Sequence, residues 1–122
     1  MKYCWTTISV KDLDASVVFY RDIVQLPVKR RFPAGPGSEI VFLGEGETQI
    51  ELIKYPHEAP PVGEGIALGF AVDSLDETLA FITKHGIEVE SGPFQPNDQI
   101  KFFYVRDPNG VRIQFSESLS GK

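Results

Sequence analysis

The two halves of this 122-residue chain carry the same succession of sequence patterns, and this repeat is the strongest constraint on its fold. Each half begins with an alternating strand pattern, continues with an amphipathic helical pattern and ends with three short strand patterns. The strand patterns lie at 3–10, 28–32, 39–43 and 48–53 in the first half and at 66–72, 87–90, 100–105 and 111–116 in the second. From Ile8 to Phe19, apolar and acidic positions match those from Phe70 to Phe81 at a constant spacing. We therefore predict an α+β protein built from two βαβββ units.

Both helical patterns have recognisable ends. Asp12 can cap the first helix, which we predict over 11–24, and Pro27 stops it. Ser74 begins the second helix as part of a capping box, and Gly86 follows its last turn. The apolar stripes are Leu13, Val17, Tyr20 and Val24 in the first helix and Leu75, Leu79 and Ile82 in the second. We therefore expect one helix to pack on the sheet of each half.

The last strand pattern follows a hairpin turn at 107–110, whose sequence is Asp-Pro-Asn-Gly. Side chains alternate between the two faces of a strand, so the apolar residues of 111–116 share one face. Gln114 therefore points away from the packed side. Glu51 holds the equivalent position in the 48–53 pattern of the first half. Trp5 and Thr7 share one face of the first strand by the same alternation.

Composition argues against several classes of partner. The chain has 17 acidic and 12 basic residues and a net charge of -5, whereas nucleic-acid binding requires clustered Lys and Arg. Cys4 is the single cysteine, so no internal disulfide can form. No apolar run reaches the length of a membrane span, and the first residues do not resemble a signal peptide. We therefore expect a soluble, cytoplasmic protein with no nucleic-acid or membrane partner.

A segment rich in proline and glycine separates the two halves. It runs over 55–65 and has too many helix and strand breakers for regular structure. We predict a first module at 1–54, a linker at 55–65 and a second module at 66–122. With 42% apolar residues, the two modules have enough hydrophobic material to form one compact domain together.

Five short motifs of this chain, at 10–20, 50–52, 71–73, 107–110 and 113–115, resemble one known family. This family is the vicinal oxygen chelate superfamily, which includes glyoxalase I, extradiol dioxygenases, epimerases and the bleomycin and fosfomycin resistance proteins. The resemblance covers nearly the whole chain. It is specific for the fold but not for the reaction, because this superfamily hosts many chemistries on one scaffold.

The resemblance implies that each half curls into a half-barrel with its helix outside and that the two half-barrels form a cup. In metal-using members, four positions facing the cup supply the ligands, and these correspond here to Trp5, Glu51, Ala67 and Gln114. The resemblance also implies a homodimer. Small residues at Ala67 and Gly69 would leave room for a ligand in such a cup.

The residues at these four positions do not make a usual metal site. Divalent transition metals require several imidazole, carboxylate or thiolate ligands, and only Glu51 is one of these. Trp5 and Ala67 have no ligating atom, and the amide of Gln114 is a weak neutral ligand. We therefore expect no cofactor and no dioxygenase activity, and a divalent metal remains only as an alternative.

Three other residues carry side chains that can act as functional groups. His57 lies in the linker, where it either faces solvent or folds over the cup to contact a ligand. His85 lies in the last turn of the second helix, where a cation is favourable near the helix dipole. Cys4 alternates to the face opposite Trp5, so we expect a small buried side chain rather than a nucleophile.

Two residues of the predicted cup carry the functional hypotheses. Glu51 is either a base or binding group on a partly closed surface, or a relic that is solvated or paired with Arg112. Trp5 is either a stacking surface for a planar or cationic ligand, or a core residue that fills the cup. The sequence leaves both alternatives open.

Three functions follow from these alternatives. The first is a metal-independent small-molecule binding protein of the bleomycin-resistance type. The second is a lyase or isomerase, similar to lactoylglutathione lyase or an epimerase, with Glu51 as base and with Gln114, Arg112 or Lys101 as a polarising donor. The third is a structural module with a plugged cup. The expected ligand-binding residues are Trp5, Thr7, Glu51, His57, Ala67, Gly69, Arg112 and Gln114.

Overall fold

Each half of the chain forms a four-stranded sheet with one α-helix. The computed structural model describes residues 3–58 and 66–119, and the chain divides into two compact units, Met1–Pro61 and Val62–Lys122. The first unit contains β1 (Trp5–Ser9), α1 (Leu13–Val18), β2 (Val28–Pro33), β3 (Glu39–Leu43) and β4 (Gln49–Lys54). The second contains β5 (Ala67–Ala71), α2 (Leu75–Lys84), β6 (Ser91–Asn97), β7 (Ile100–Arg106) and β8 (Arg112–Ser118).

The two sheets have the same topology. Their strand orders are β1-β4-β3-β2 and β5-β8-β7-β6, and in each sheet the first strand is parallel to the last. The remaining neighbours are antiparallel. This correspondence confirms the predicted α+β fold with two βαβββ units.

One face of each sheet is apolar and packs towards the helix of its unit. In the first unit, Val41, Leu43 and Leu52 are fully buried, and α1 contacts β4 through the same side of the sheet. In the second unit, Phe103 and Ile113 are fully buried in the same way, and α2 contacts β8. The alternation along each strand leaves the other face for polar and aromatic side chains, which we call the open face of each sheet.

The first helix differs from its prediction in length and in type. The pattern predicted one helix over 11–24, but α1 ends at Val18 and a π-helical segment follows at Phe19–Ile23. Phe19, Tyr20 and Ile23 of this π-helical segment are buried. Leu13, Val17 and Tyr20 of the predicted stripe are buried, and Val24 is half-buried.

The predicted helix caps are confirmed. The Asp12 side chain accepts a 3.0 Å hydrogen bond from the Ala15 backbone N–H, and Ser74 accepts one of 3.2 Å from Glu77. Gly86 has φ of 77°, the left-handed conformation that ends many helices.

The strand predicted at 87–90 was wrong. These residues form no strand, and β6 lies instead at Ser91–Asn97. This segment contains two prolines and a glycine, which disfavour strands. β6 is an edge strand that pairs only with β7, and its pairing shifts register on both sides of Phe94. Because an edge strand has one row of unpaired backbone groups, it tolerates proline better than a central strand does.

The hairpin turn between β7 and β8 is confirmed. Asp107 Oδ1 accepts 2.8 Å hydrogen bonds from the backbone N–H groups of Asn109 and Val111.

The prediction that Cys4 is buried was wrong. Cys4 is exposed because it precedes β1 and lies outside the alternation that buries Ile8. Among the described residues, no helix is long and apolar enough to cross a membrane.

Candidate functional site

The open face of the first sheet brings a carboxylate, a guanidinium and several aromatic rings into one row. Thr7 on β1 lies opposite Glu51 on β4, which lies opposite Phe42 on β3, which in turn lies opposite Arg30 on β2. Paired residues on neighbouring strands project to the same face of a sheet. The four side chains therefore cross the open face from one edge to the other.

Glu51 is held in place at one end of this row. Its side chain is half-buried, and Oε1 accepts a 2.5 Å hydrogen bond from the Thr7 hydroxyl. A hydroxyl donor of this kind fixes the direction of the carboxylate. The other lone pairs of the carboxylate remain available to a ligand that carries hydrogen-bond donors.

Phe42 forms the apolar floor beside Glu51. It is 3% exposed, the Trp5 ring stands edge-on to it at 5.3 Å and 80°, and the Phe32 ring stacks near it at 6.3 Å. The Arg30 guanidinium lies 4.3 Å from the centre of the Phe42 ring. Trp5 and Arg30 therefore rest on Phe42 from two sides.

Trp5 is accessible rather than part of the core. Its side chain is 47% exposed, although its edge contacts Phe42. The interpretation in which Trp5 is buried as core does not agree with this exposure. An exposed indole next to a carboxylate offers a ring face for stacking and a nearby negative charge.

The open face of the second sheet is organised around Tyr104 and Glu90. The Gln114 amide donates a 3.1 Å hydrogen bond to the Tyr104 hydroxyl, and the Arg112 guanidinium lies 4.2 Å from the centre of the Tyr104 ring. Glu90 accepts from Arg106 Nε at 2.8 Å and from Arg112 Nε at 3.2 Å. The hydrogen bond from Arg106, and then that from Arg112, holds the pKa of the Glu90 carboxyl below its ordinary value.

Arg112 thus has Glu90 as its ion-pair partner within the second unit. The Glu51 carboxylate has the Thr7 hydroxyl as its partner within the first unit. Lys101, a candidate polarising donor, lies opposite Glu117 and near Asp76 on the helix side of its sheet. Lys101 is thus on the wrong face to act with Gln114.

Small residues line β5 on the same open face. Ala67, Gly69 and Ala71 are exposed, and their role in leaving room for a ligand stays a prediction. Gly69 lies opposite Gln114, and a Cβ atom added there would be 3.2 Å from Gln114 Oε1. A larger residue at this position would therefore crowd the Gln114 amide.

The two histidines lie outside the open faces described here. The exposed His57 ring stacks on Tyr55 at 5.0 Å, and the structure describes the predicted linker only as far as residue 58. The remaining linker residues, 59–65, lie outside the described residues. His85 Nδ1 lies 2.9 Å from the Phe81 carbonyl oxygen in the last turn of α2, which agrees with a helix-end role.

The residues at the family's metal-ligand positions do not fit a divalent metal. Glu51 supplies one carboxylate, Trp5 and Ala67 supply no ligating atom, and the Gln114 amide bonds to Tyr104. Within residues 3–58 and 66–119, no group of three or more His, Cys, Asp or Glu side chains is arranged to hold a metal ion. The donor set of these positions is thus too poor in charge for zinc, nickel or iron.

Sequence reasoning missed several residues of the two open faces. These are Arg30, Phe32, Phe42, Glu90, Tyr104 and Arg106. Side chains alternate between the two faces of the predicted strands β3 and β7. This alternation could have assigned Phe42 and Tyr104 to the open faces. No comparable signal was available for Glu90, because it precedes a strand that was predicted in the wrong place.

The comparisons with known proteins agree with this architecture. The sequence model of the Glyoxalase/Bleomycin resistance protein/Dioxygenase superfamily matches residues 2–115. The chain belongs to this superfamily. A lactoylglutathione lyase from Haemophilus influenzae is 30% identical to the chain over 132 residues, which cover 100% of this chain and 96% of the relative.

Two solved structures have a similar fold. A glyoxalase family protein from Bacillus cereus matches with a TM-score of 0.83 at 22% identity, covering 98% of this chain and 95% of the other. An antibiotic-binding protein from a Streptomyces species matches with a TM-score of 0.78 at 19% identity, covering 97% and 96%. These two likenesses show the fold, and the function must be argued from the residues of this chain.

Proposed function

We propose that this protein binds a small organic molecule on the open face of its first sheet and does so without a metal ion. The observation that carries this proposal is the half-buried Glu51 carboxylate, which Thr7 orients on the same sheet face as the exposed Trp5 ring. A ligand with a flat ring and a positive or strongly donating group is complementary to this pair.

The donor set supports binding over metal-dependent catalysis. A lyase that works through a divalent ion needs several charged or imidazole ligands, and the positions that supply them in metal-using relatives hold Trp5, Ala67 and Gln114 here. Binding requires only shape, stacking and a few polar groups, which the open face of the first sheet has.

On the open face of the second sheet, the predicted ligand-binding residues stay predictions. Ala67 and Gly69 offer an exposed surface without bulky side chains, and Gln114 keeps its carbonyl oxygen as an acceptor. Arg112 would contribute mainly through its position over Tyr104, since Glu90 already takes its Nε donor. We also propose His57 as a ligand contact from the linker. A homodimer stays the expected assembly.

A fluorescence titration tests this proposal, because Trp5 is the only tryptophan of the chain. We use benzamidinium, a flat cation, as the probe and neutral benzamide as its comparison. We expect benzamidinium to change Trp5 emission and to bind at least about tenfold more tightly than benzamide, as expected for a charge-assisted hydrogen bond. Glu51→Gln should remove this preference, whereas Glu45→Gln, in an exposed loop, should keep it. Equal binding of both probes to all three proteins would overturn the proposal.

The second candidate is a lyase or isomerase with Glu51 as base. Its support is the Haemophilus influenzae lactoylglutathione lyase, which matches over the full length of this chain. In that case the wild-type protein should show lactoylglutathione lyase or epimerase activity, and Glu51→Gln should abolish it without changing the fold. Turnover that depends on Glu51 would favour this candidate over the binding protein.

A plugged structural module is the least favoured of the three. It requires Trp5 to be buried, but the indole is 47% exposed. In the titration above, a plugged module would leave Trp5 emission unchanged with every probe.

A further inference from the structure

Arg30 differs from the other arginines in having no carboxylate partner among residues 3–58 and 66–119. Arg21, Arg31, Arg106 and Arg112 each form an ion pair with Asp or Glu side chains. No carboxylate within residues 3–58 and 66–119 forms an ion pair with Arg30. Its neighbours are instead the Phe42 and Phe32 rings, whose centres lie 4.3 Å and 5.6 Å from the guanidinium carbon.

Stacking on an aromatic ring leaves a guanidinium ready to bind an anion. The contact with Phe42 occupies the flat face of the group, whereas its N–H donors point outwards in the plane. A carboxylate or phosphate group takes such a pair of donors in a bidentate arrangement. Phe42 is itself fixed, since it is 3% exposed and contacts Trp5 and Phe32.

The second unit provides an internal comparison for this arrangement. Tyr104 lies opposite Gln114 as Phe42 lies opposite Glu51, and each of these two rings carries one guanidinium. In the second unit, Glu90 already occupies the guanidinium of Arg112. A guanidinium thus stacks on an aromatic ring in both units. In the second unit a carboxylate of the chain binds it, whereas in the first unit no carboxylate of the described residues does.

We propose that Arg30 is the anion-binding subsite of the open face, so that the ligand carries an acidic group at one end and a cationic or donating group at the other. This inference rests on the proposed function, because Glu51 and Trp5 bind the other end. Glu51 and Arg30 are two strands apart, which is about 10 Å at the usual strand spacing. A flat molecule with its charged groups at opposite ends spans that separation.

The test compares two probes that differ only in the acidic group. Benzamidinium carries the cation alone, and 4-carboxybenzamidinium adds a carboxylate at the far end of the same ring. By Trp5 fluorescence, we expect the carboxylated probe to bind the wild-type protein about tenfold more tightly than benzamidinium. Arg30→Gln should abolish this difference and leave benzamidinium affinity unchanged.

Two further variants separate a specific contact from a general loss of charge. Lys29→Gln removes the same charge from the neighbouring exposed residue and should preserve the tenfold difference. Arg30→Lys keeps the charge but lacks the planar pair of donors, so it should retain only part of the difference. Circular dichroism of each variant verifies that the fold is unchanged.

The outcomes distinguish this inference from the proposed function. The anion subsite is overturned if 4-carboxybenzamidinium binds the wild-type protein no more tightly than benzamidinium does. It is also overturned if Lys29→Gln reduces the affinity difference between the two probes as much as Arg30→Gln does. Benzamidinium binding that still depends on Glu51 would leave the proposed function standing in that case. If benzamidinium itself does not bind, both are overturned.

Discussion

Thr7 and Glu51 lie directly opposite each other on β1 and β4, and the Thr7 hydroxyl donates a 2.5 Å hydrogen bond to Glu51 Oε1. In the second unit, the equivalent pair is Gly69 and Gln114, which has neither a hydroxyl nor a carboxylate. The duplicated units have therefore diverged at this position. The first unit keeps a negative charge on its open face, and the second keeps a neutral amide.

This hydrogen bond predicts a role for Thr7 in ligand binding. Thr7→Val keeps the shape of the side chain and removes the donor, so Glu51 loses its fixed direction. Because a single hydrogen bond contributes about 0.5–1.5 kcal/mol net, we expect benzamidinium to bind about three- to tenfold more weakly. The measurement is the Trp5 fluorescence titration, with Thr48→Val in an exposed loop as the matched control. An equal loss in both variants would contradict the role of Thr7.

We expect the Asp107 carboxylate to stabilise the β7–β8 hairpin. Asp107→Ala leaves the buried Val111 backbone N–H without its 2.8 Å acceptor and also removes the bond from Asn109. We expect the free energy of unfolding in urea to fall by about 1–3 kcal/mol, the usual cost of an unsatisfied buried donor. Asp98→Ala, at the exposed turn between β6 and β7, should change it by less than about 0.5 kcal/mol. Similar values for the two variants would rule out this account of the turn.

The contacts of Glu90 predict how stability depends on pH. Arg106 and then Arg112 lower its pKa in the folded protein from the ordinary value of 4.5, which the unfolded chain retains. The stabilisation is therefore fully present above about pH 5 and is lost as the pH falls through the folded pKa. Urea unfolding at pH 7 should show Glu90→Gln to be less stable than wild type, and this difference should shrink at pH 3. A difference that grows on acidification would contradict the assignment.

We expect Gly92 to resist substitution. Its φ is 100°, and an added Cβ would lie 3.0 Å from Phe103 Cβ and 3.1 Å from the Phe102 carbonyl oxygen. We expect Gly92→Ala to lower the free energy of unfolding by about 1–3 kcal/mol, because it combines backbone strain with a steric clash against β7. Gly46→Ala meets no atom within 4 Å and serves as the control in the same urea experiment. If both variants unfold alike, β6 does not pack against β7 as described.

The sequence predicted the fold better than it predicted the open faces. Alternation along the central strands was sufficient to assign Glu51 and Gln114, because their buried neighbours Leu52 and Ile113 mark the opposite face. Alternation fails in β2, where the pairing shifts register between Val28 and Arg30. Counting from Val28 puts Arg30 on the helix side, whereas this irregularity moves it to the open face.

The edge strand β6 shows a second limit of the same reasoning. Its prolines disfavour a strand by local propensity, and its pairing with β7 is a contact between distant residues that no local pattern contains. Glu90 was missed together with this strand, and with it the ion pairs to Arg106 and Arg112. In the sequence, the divergence between the two open faces is visible as the exchanges of Thr7 for Gly69 and of Glu51 for Gln114.

Under the proposed function, ligand binding at Trp5 and Glu51 needs no metal ion. The most direct test is to measure the metal content of the purified protein by plasma mass spectrometry and then to titrate benzamidinium into chelator-treated protein while recording Trp5 fluorescence. We expect substoichiometric metal, the same affinity before and after chelation, and no change when nickel, zinc, manganese or iron(II) is added. Stoichiometric metal that is lost in Glu51→Ala, together with binding only in the metal-loaded protein, would contradict the claim and favour the lyase.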